Sequence, residues 1–472
     1  MLQRSNSQLK KIKPSVLILV TFAICHILFI FLIYGNYFLA PDESGYEKTF
    51  LNLYKSDFSV GTHGGWGIFL NDNFLYTQIL RLFYFFPSIL LWLGTESLLA
   101  MRLWSLMLTF VCFYLAFTSL KPSSTKQKLA IIAVFFSPTI FTFSSLGLRE
   151  PFIYLFTTLI VVSLSKCLIS DKTIKWYSVF GLSMVGLFVT KPYLYNTLFL
   201  SLIFALFFAI IARSDTGEKK IVIKLVIFGA VPILLFPSAQ FQVAKSSIDF
   251  AKRSLSISSG ANPTPNPTSN LTPNLTPNPT SNPTPNPTPN PTSKPNLEEI
   301  SSYTTHLLKL ELNESIDSIN PIKKFLLLNL LESSESYDGS TAINKAQKSA
   351  EFTGLDKVRW VITSPNPFEK NASLILKLLS VETLFFWLLL IVYFATVFTG
   401  ILQRRIPIHL GIFFFSWFLL SLLSMAFLDT NEGTLIRHRS PLVLALLLIT
   451  ILCQNLRELR SNQQPIKARG DV

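Results

Sequence analysis

Charge is scarce in this sequence. Asp, Glu, Lys and Arg make up only 14% of the 472 residues, where a soluble domain carries about 25%, and the shortfall excludes an ordinary water-soluble globule. Cysteine is nearly missing as well. Cys25, Cys112, Cys167 and Cys453 each fall in or beside an apolar stretch, with neither metal-site spacing nor a place in a long polar loop where a disulfide framework would form. They read as small apolar residues. Histidine is limited to five residues, and His63 has no partner at metal-ligand spacing. Acidic residues number 27 against 41 basic ones, a net charge of +14, which invites a nucleic-acid reading. The distribution removes it: roughly half of the Lys and Arg cluster in short segments between apolar spans or near the two ends, in every second connection, which is the positive-inside pattern. The basic excess is topology, and no nucleic-acid partner is expected.

What the chain does have is apolar bulk. Half of it is hydrophobic, 42 residues are Phe, and the mean hydropathy is +0.44. The expected fold is an all-α polytopic membrane protein of about ten transmembrane helices, each needing roughly 17–25 apolar residues. These are expected at 15–38, 98–119, 129–148, 151–169, 174–190, 194–212, 221–239, 380–402, 407–428 and 440–455. The first apolar run is longer than a signal core of roughly 7–15 residues and lacks a small-residue cleavage site. It is expected to stay as an anchor, with both termini cytoplasmic. Residues 74–96 are apolar enough to span, but counting them would put every later basic cluster outside, and Arg81 and Pro87 interrupt the run. A juxtamembrane helix on the outer surface is expected there instead.

Three regions follow. Residues 1–239 form an amino-terminal membrane module whose first outer loop is 41–97. Residues 240–379 form one extracytoplasmic loop, and residues 380–472 a second membrane module with a cytoplasmic tail. Within the long loop, 262–293 repeats Asn-(Pro/Leu)-Thr-(Pro/Ser), a Pro-rich pattern without a core and hence an extended linker. Residues 297–379 are expected as a small helical cap, with Trp360-Val361-Ile362 ahead of Pro365-Asn366-Pro367 read as a short extended piece.

The residues able to carry chemistry sit at outer helix ends. Asp42 and Glu43 follow the first span, where two adjacent carboxylates are costly unless used. Arg149 and Glu150 lie between the third and fourth spans, Lys191 between the fifth and sixth, and Arg437, His438 and Arg439 just before the tenth. All these loops except the first are short, so their charges converge near the bilayer surface. A carboxylate can accept a hydroxyl proton and guanidinium groups can hold a phosphate. Each group also has a plainer reading. Glu150 could pair locally with Arg149, Arg437 and Arg439 could snorkel to the interface, and Lys191 beside Pro192 and Tyr193 could be an interface anchor. Trp66, in the Gly-rich stretch 61–67, is either a sugar-stacking face or an interfacial aromatic.

The run Pro41-Asp42-Glu43-x-x-Tyr46, then Tyr76, Gly94 and Arg102, then Leu148-Arg149-Glu150-Pro151-Phe152, resembles the amino-terminal half of the GT-C membrane glycosyltransferases. Within that superfamily it is similar to the aminoarabinose and dolichyl-type mannosyl transferases, over roughly the first 170 residues. The resemblance implies a GT-C-like fold with Asp42 as catalytic base. Glu43 and Glu150 would orient the acceptor, or hold a divalent metal ion if one is used, and Tyr46, Trp66, Tyr76 and Arg149 would contact substrate. Arg437, His438 and Arg439 would bind the phosphate leaving group. The implied partners are a polyprenyl-phosphate sugar donor, a lipid or glycan acceptor and membrane lipids, and the implied location is the outer face of the bacterial cytoplasmic (inner) membrane. The segment Gly433–Arg439 resembles membrane proteins of exopolysaccharide and O-antigen assembly, so a polymerase of lipid-linked repeat units is the alternative. A flippase fits less well, because transporters place charge near the bilayer midplane on broken helices, whereas here the acids sit at outer ends.

Overall fold

The computed structural model describes residues 14–32, 41–55, 74–169, 174–212, 216–237, 354–368, 374–428 and 432–467. The repeat linker, most of the expected cap and the loop bearing Trp66 lie outside the described residues. Contacts divide the chain into one unit of Met1–Asp249 with Gly354–Val472 and another of Phe250–Thr353; everything below belongs to the first.

Among the described residues every regular element is an α-helix. A chain this apolar must satisfy its backbone N–H and C=O groups within each segment once water is gone, and the helix does so. The first half comprises α1 (Pro14–Leu32), α2 (Pro41–Tyr54), α3 (Phe74–Phe83), α4 (Phe85–Trp92), α5 (Ser97–Thr118), α6 (Thr125–Phe135), α7 (Pro138–Ser144) and α8 (Glu150–Ile169). The second comprises α9 (Ile174–Thr190), α10 (Pro192–Ile211), α11 (Thr216–Gly229), α12 (Val231–Leu235), α13 (Gly354–Thr363), α14 (Leu374–Leu402), α15 (Ile408–Leu428) and α16 (Glu432–Lys467). Local chemistry marks several starts. Ser124 and Gln127 form a reciprocal capping box at α6, and α7, α10 and α12 carry Pro in the first turn, where a missing N–H costs nothing.

Among the described residues six helices are long and apolar enough to cross a membrane, within α5, α8, α10, α14, α15 and α16; counting the bent pairs α3–α4 (55°) and α6–α7 (56°) as single spans gives up to eight. This is fewer than the ten expected, and the breaks explain part of the difference. The expected span 129–148 is interrupted where Ser137 and Pro138 start a new helix, and 221–239 is interrupted at Ala230, just ahead of Pro232. Both ends of the α3–α4 pair lie near α2: Tyr76 in α3 lies in the field of Arg149 and Tyr46, and after α4 the Ser97 hydroxyl donates to Glu47 of α2. The piece around Trp360 is helical, not extended. Its β-branched residues suggested a strand, but Val358, Val361 and Ile362 share one helical face, Val361 is fully buried, and tertiary packing overrides propensity.

At the centre α8 packs against α5, α9 and α16, while α10 packs against α15 and α11, and α14 against α16. Of the candidate spans, α8 and α16 are the most enclosed. Gly186 lets α9 close on α8, because a Cβ there would run into the ring of Phe156. The direction of α11 is fixed at both ends. Near its start, Glu218 pairs with Arg460 of α16 at 2.9 Å, and at its end the Gly229 carbonyl accepts from the Tyr195 hydroxyl of α10 at 3.0 Å.

Candidate functional site

Glu150 is the first residue of α8, and its carboxylate is 1% exposed. A carboxylate in a first helical turn complements the helix dipole, which partly explains how a charge persists there. The remainder comes from Arg437, whose Nε lies 3.2 Å from Glu150 Oε1. No hydrogen bond of good geometry reaches either Glu150 oxygen from the described residues, so the carboxylate is charge-paired yet keeps its acceptor capacity. A buried acceptor in that state is costly.

Arg437 is held by an unusual piece of helix. Four residues on, Pro441 has no N–H to give to the Arg437 carbonyl. Ser440 supplies the missing donor: its hydroxyl reaches Arg437 O at 2.8 Å and also meets the Tyr154 hydroxyl of α8 at 2.7 Å. The α16 backbone therefore runs unbroken past a proline, locked to α8 one turn below the ion pair.

Around this pair the structure gathers most of the expected residues. Arg149 lies within electrostatic reach of Tyr46, Glu150, Arg437 and Tyr193. Burial works against its charge, but the Tyr46 oxygen and the Glu150 carboxylate more than offset this and raise its pKa above the ordinary guanidinium value. Tyr46 and Tyr76 are both almost fully buried and face the same group. His438 feels Lys191, Arg437 and Arg149, and its ring lies 5.8 Å from that of Tyr193.

Lys191, read from the sequence as an interface anchor, is 3% exposed, with its Nζ 5.4 Å from the Tyr193 ring centroid.

Two expectations meet a different geometry, and a third lies outside the described side chains. Glu43 was expected to face acceptor or metal, yet it is fully buried with both oxygens bonded to Arg102, at 3.2 and 3.1 Å, and one also taking the Gly147 N–H at 2.9 Å. Arg439 was expected at the phosphate. Its guanidinium instead donates to the Ser364 and Val361 carbonyls beside α13 and to the Thr383 hydroxyl of α14 at 3.0 Å, and it stacks 5.1 Å from the Phe386 centroid. That bonding pins α13 and α14 to α16. Asp42 lies in the first turn of α2, but its side chain, like Trp66, is outside the described residues.

Among the described side chains Glu43 pairs with Arg102 and Glu150 with Arg437, with Arg149 and Lys191 close by. Among the described residues no group of three His, Cys, Asp or Glu side chains could hold a metal ion. Comparison of the chain with protein-family models, with characterised proteins and with solved structures finds no match.

Proposed function

We propose that this protein is an integral membrane glycosyltransferase of GT-C type. It takes a sugar from a polyprenyl-phosphate donor and passes it to a lipid or glycan hydroxyl at the extracytoplasmic face of the bacterial inner membrane. The observation that carries the reading is the buried Glu150 carboxylate set among Arg149, Arg437 and Lys191, with Tyr46 and Tyr76 beside them.

In the proposed reaction the acceptor hydroxyl gives its proton to the Asp42 carboxylate as its oxygen attacks the anomeric carbon. The bond from that carbon to the phosphate oxygen breaks on the opposite face, and the phosphate leaves with the electron pair, so configuration inverts. Arg437, Arg149 and Lys191 meet the growing charge of the leaving group, while Glu150 orients the acceptor. The exposed apolar rims of α3 and α4 (Leu82, Phe85, Trp92) suit the isoprenoid tail.

A ten-span topology is part of this proposal. Glu150 opens α8, Lys191 caps α10 and Arg437 lies in the second turn of α16, so in this reading α9 returns the chain between α8 and α10 although it has only 17 residues. The bonds at the two ends of α11 give it the same role.

The test is transfer from a purified polyprenyl-phosphate sugar by full-length protein in lipid nanodiscs. The wild type should transfer and Asp42→Asn should not; full transfer by Asp42→Asn would sink the assignment of the base. The resemblance of Gly433–Arg439 to polysaccharide-assembly proteins keeps polymerisation as a second outcome, recognised by a ladder of products instead of one added sugar.

A further inference from the structure

We infer that Glu43, Arg102 and Gly147 form a positioning clamp that fixes the first outer loop against the Arg149–Glu150 turn, and that Glu43 itself does not meet substrate. The clamp stands on its own geometry; its consequence for ligand binding rests on the function proposed above.

Three segments far apart in sequence meet at one carboxylate. Glu43 comes from the first turn of α2 and Arg102 from the second turn of α5. Gly147 comes from the connection that leads into α8. Oε1 of Glu43 accepts from Gly147 N at 2.9 Å and from Arg102 Nε at 3.2 Å, and Oε2 accepts from Arg102 Nη2 at 3.1 Å. Both charged side chains are essentially sealed from solvent, at 0% and 1% exposure. A planar guanidinium reading a carboxylate with two parallel bonds sets orientation as well as distance.

A side chain at the third partner would crowd α5. A Cβ at Gly147 would stand 3.1 Å from Met101 Cβ and 3.2 Å from Met101 Cε, tighter than ordinary contact against the residue preceding Arg102. The loop therefore lies directly on α5, with Leu146 and Leu148 buried on either side of the glycine.

What the clamp positions is visible one step away on each side. Tyr46 lies one helical turn beyond Glu43, and Arg149 lies two residues beyond Gly147. These two residues meet in the candidate site. The clamp's acid and base pair with each other. A substrate-facing Glu43 would have to give up three bonds first.

The experiment uses full-length protein in nanodiscs and reads hydrogen exchange across 145–150. In Glu43→Ala and Arg102→Met the Gly147 amide should exchange about tenfold faster than in wild type, with the interiors of α8 and α16 unchanged. In Glu43→Gln, whose carboxamide oxygen can still accept from Gly147, exchange should rise about threefold or less. Unchanged exchange in all three variants would overturn the clamp. The second readout is affinity for undecaprenyl phosphate. It should fall about tenfold in Glu43→Ala and stay within about threefold of wild type in Glu43→Gln. A Glu43→Gln protein that is folded and normally protected at Gly147, yet as impaired as the alanine variant, would place Glu43 on the substrate and overturn the proposal. If wild-type protein fails to bind undecaprenyl phosphate at all, the transferase reading fails while the exchange data still decide the clamp. Should Glu43→Ala not fold, Arg102→Met and Glu43→Gln decide it alone.

Discussion

Removing Glu150 and removing Arg437 should move phosphate affinity in opposite directions, although the two form one ion pair. A ligand phosphate seated against Arg437 lies about 5 Å from the Glu150 carboxylate, and at an effective dielectric of about 20 each unit-charge interaction at that distance is worth about 3 kcal/mol. Glu150→Gln removes a repulsion of that order, while Arg437→Met removes an attraction of similar size. Arg437 is 15% exposed, so solvent screening brings its share down, and its loss should weaken binding about tenfold. Glu150 is sealed, so Glu150→Gln should tighten binding by about ten- to a hundredfold. Turnover should nonetheless fall about a hundredfold in Glu150→Gln, because the acceptor is no longer oriented. Stability provides a control. Breaking a buried pair by deleting one partner costs about 3–5 kcal/mol, but Arg149 stays beside Glu150 in Arg437→Met, so that variant should lie at or below the low end. The assay is titration of undecaprenyl phosphate into each purified variant, with thermal unfolding run in parallel. Weaker binding in Glu150→Gln, or unchanged binding in Arg437→Met, would refute the claim that this pair straddles an anion site.

Three further variants test the scaffold around the site. Ser440→Ala should destabilise the protein by about 1–3 kcal/mol because it orphans both the Arg437 carbonyl and the Tyr154 hydroxyl; adding Pro441→Ala, which returns an N–H to that carbonyl, should recover part of the loss in thermal unfolding. Arg439→Met should cost about 3 kcal/mol and leave undecaprenyl phosphate affinity within about threefold of wild type, since its bonds go to Ser364, Val361 and Thr383. Gly186→Ala should cost about 1–3 kcal/mol by forcing α8 and α9 apart at Phe156, and the larger contact loss in Phe156→Ala combined with it should be less than additive.

The membrane class was legible in the sequence because apolar runs of span length leave few other readings. Arg149, Lys191 and Arg437, which the sequence offered as candidate charges, all lie within electrostatic reach of His438. The division of labour among neighbours was harder to read, yet helix geometry contained part of the answer. Residues two apart on a helix point roughly 200° away from each other, so Arg437 and Arg439 in one α-helix were never able to serve the same phosphate. One faces Glu150 and the other faces α13 and α14. The Arg102 pairing and the Gly147 contact bridge 59 and 104 residues, and no local pattern announces a contact at that range.

The site has a further source of positive potential that no side-chain substitution removes. Glu43 and Tyr46 lie in the first turns of α2, Tyr76 in the first turn of α3, Glu150 opens α8, Lys191 caps α10 and Arg437 follows the start of α16. The amino-terminal turns of these helices therefore supply residues to this region, and a helix amino terminus carries about half a positive charge, in surroundings of low dielectric where such charges are felt strongly. It follows that no single cation should be indispensable for holding the phosphate. Arg149→Met, Lys191→Met and Arg437→Met should each weaken undecaprenyl phosphate by about tenfold, and the triple variant should still prefer it over undecaprenol, the same chain with a hydroxyl in place of the phosphate. Equal binding of alcohol and phosphate by the wild type would show that the helix ends and cations together select no anion, and the leaving-group role assigned to them would go with it.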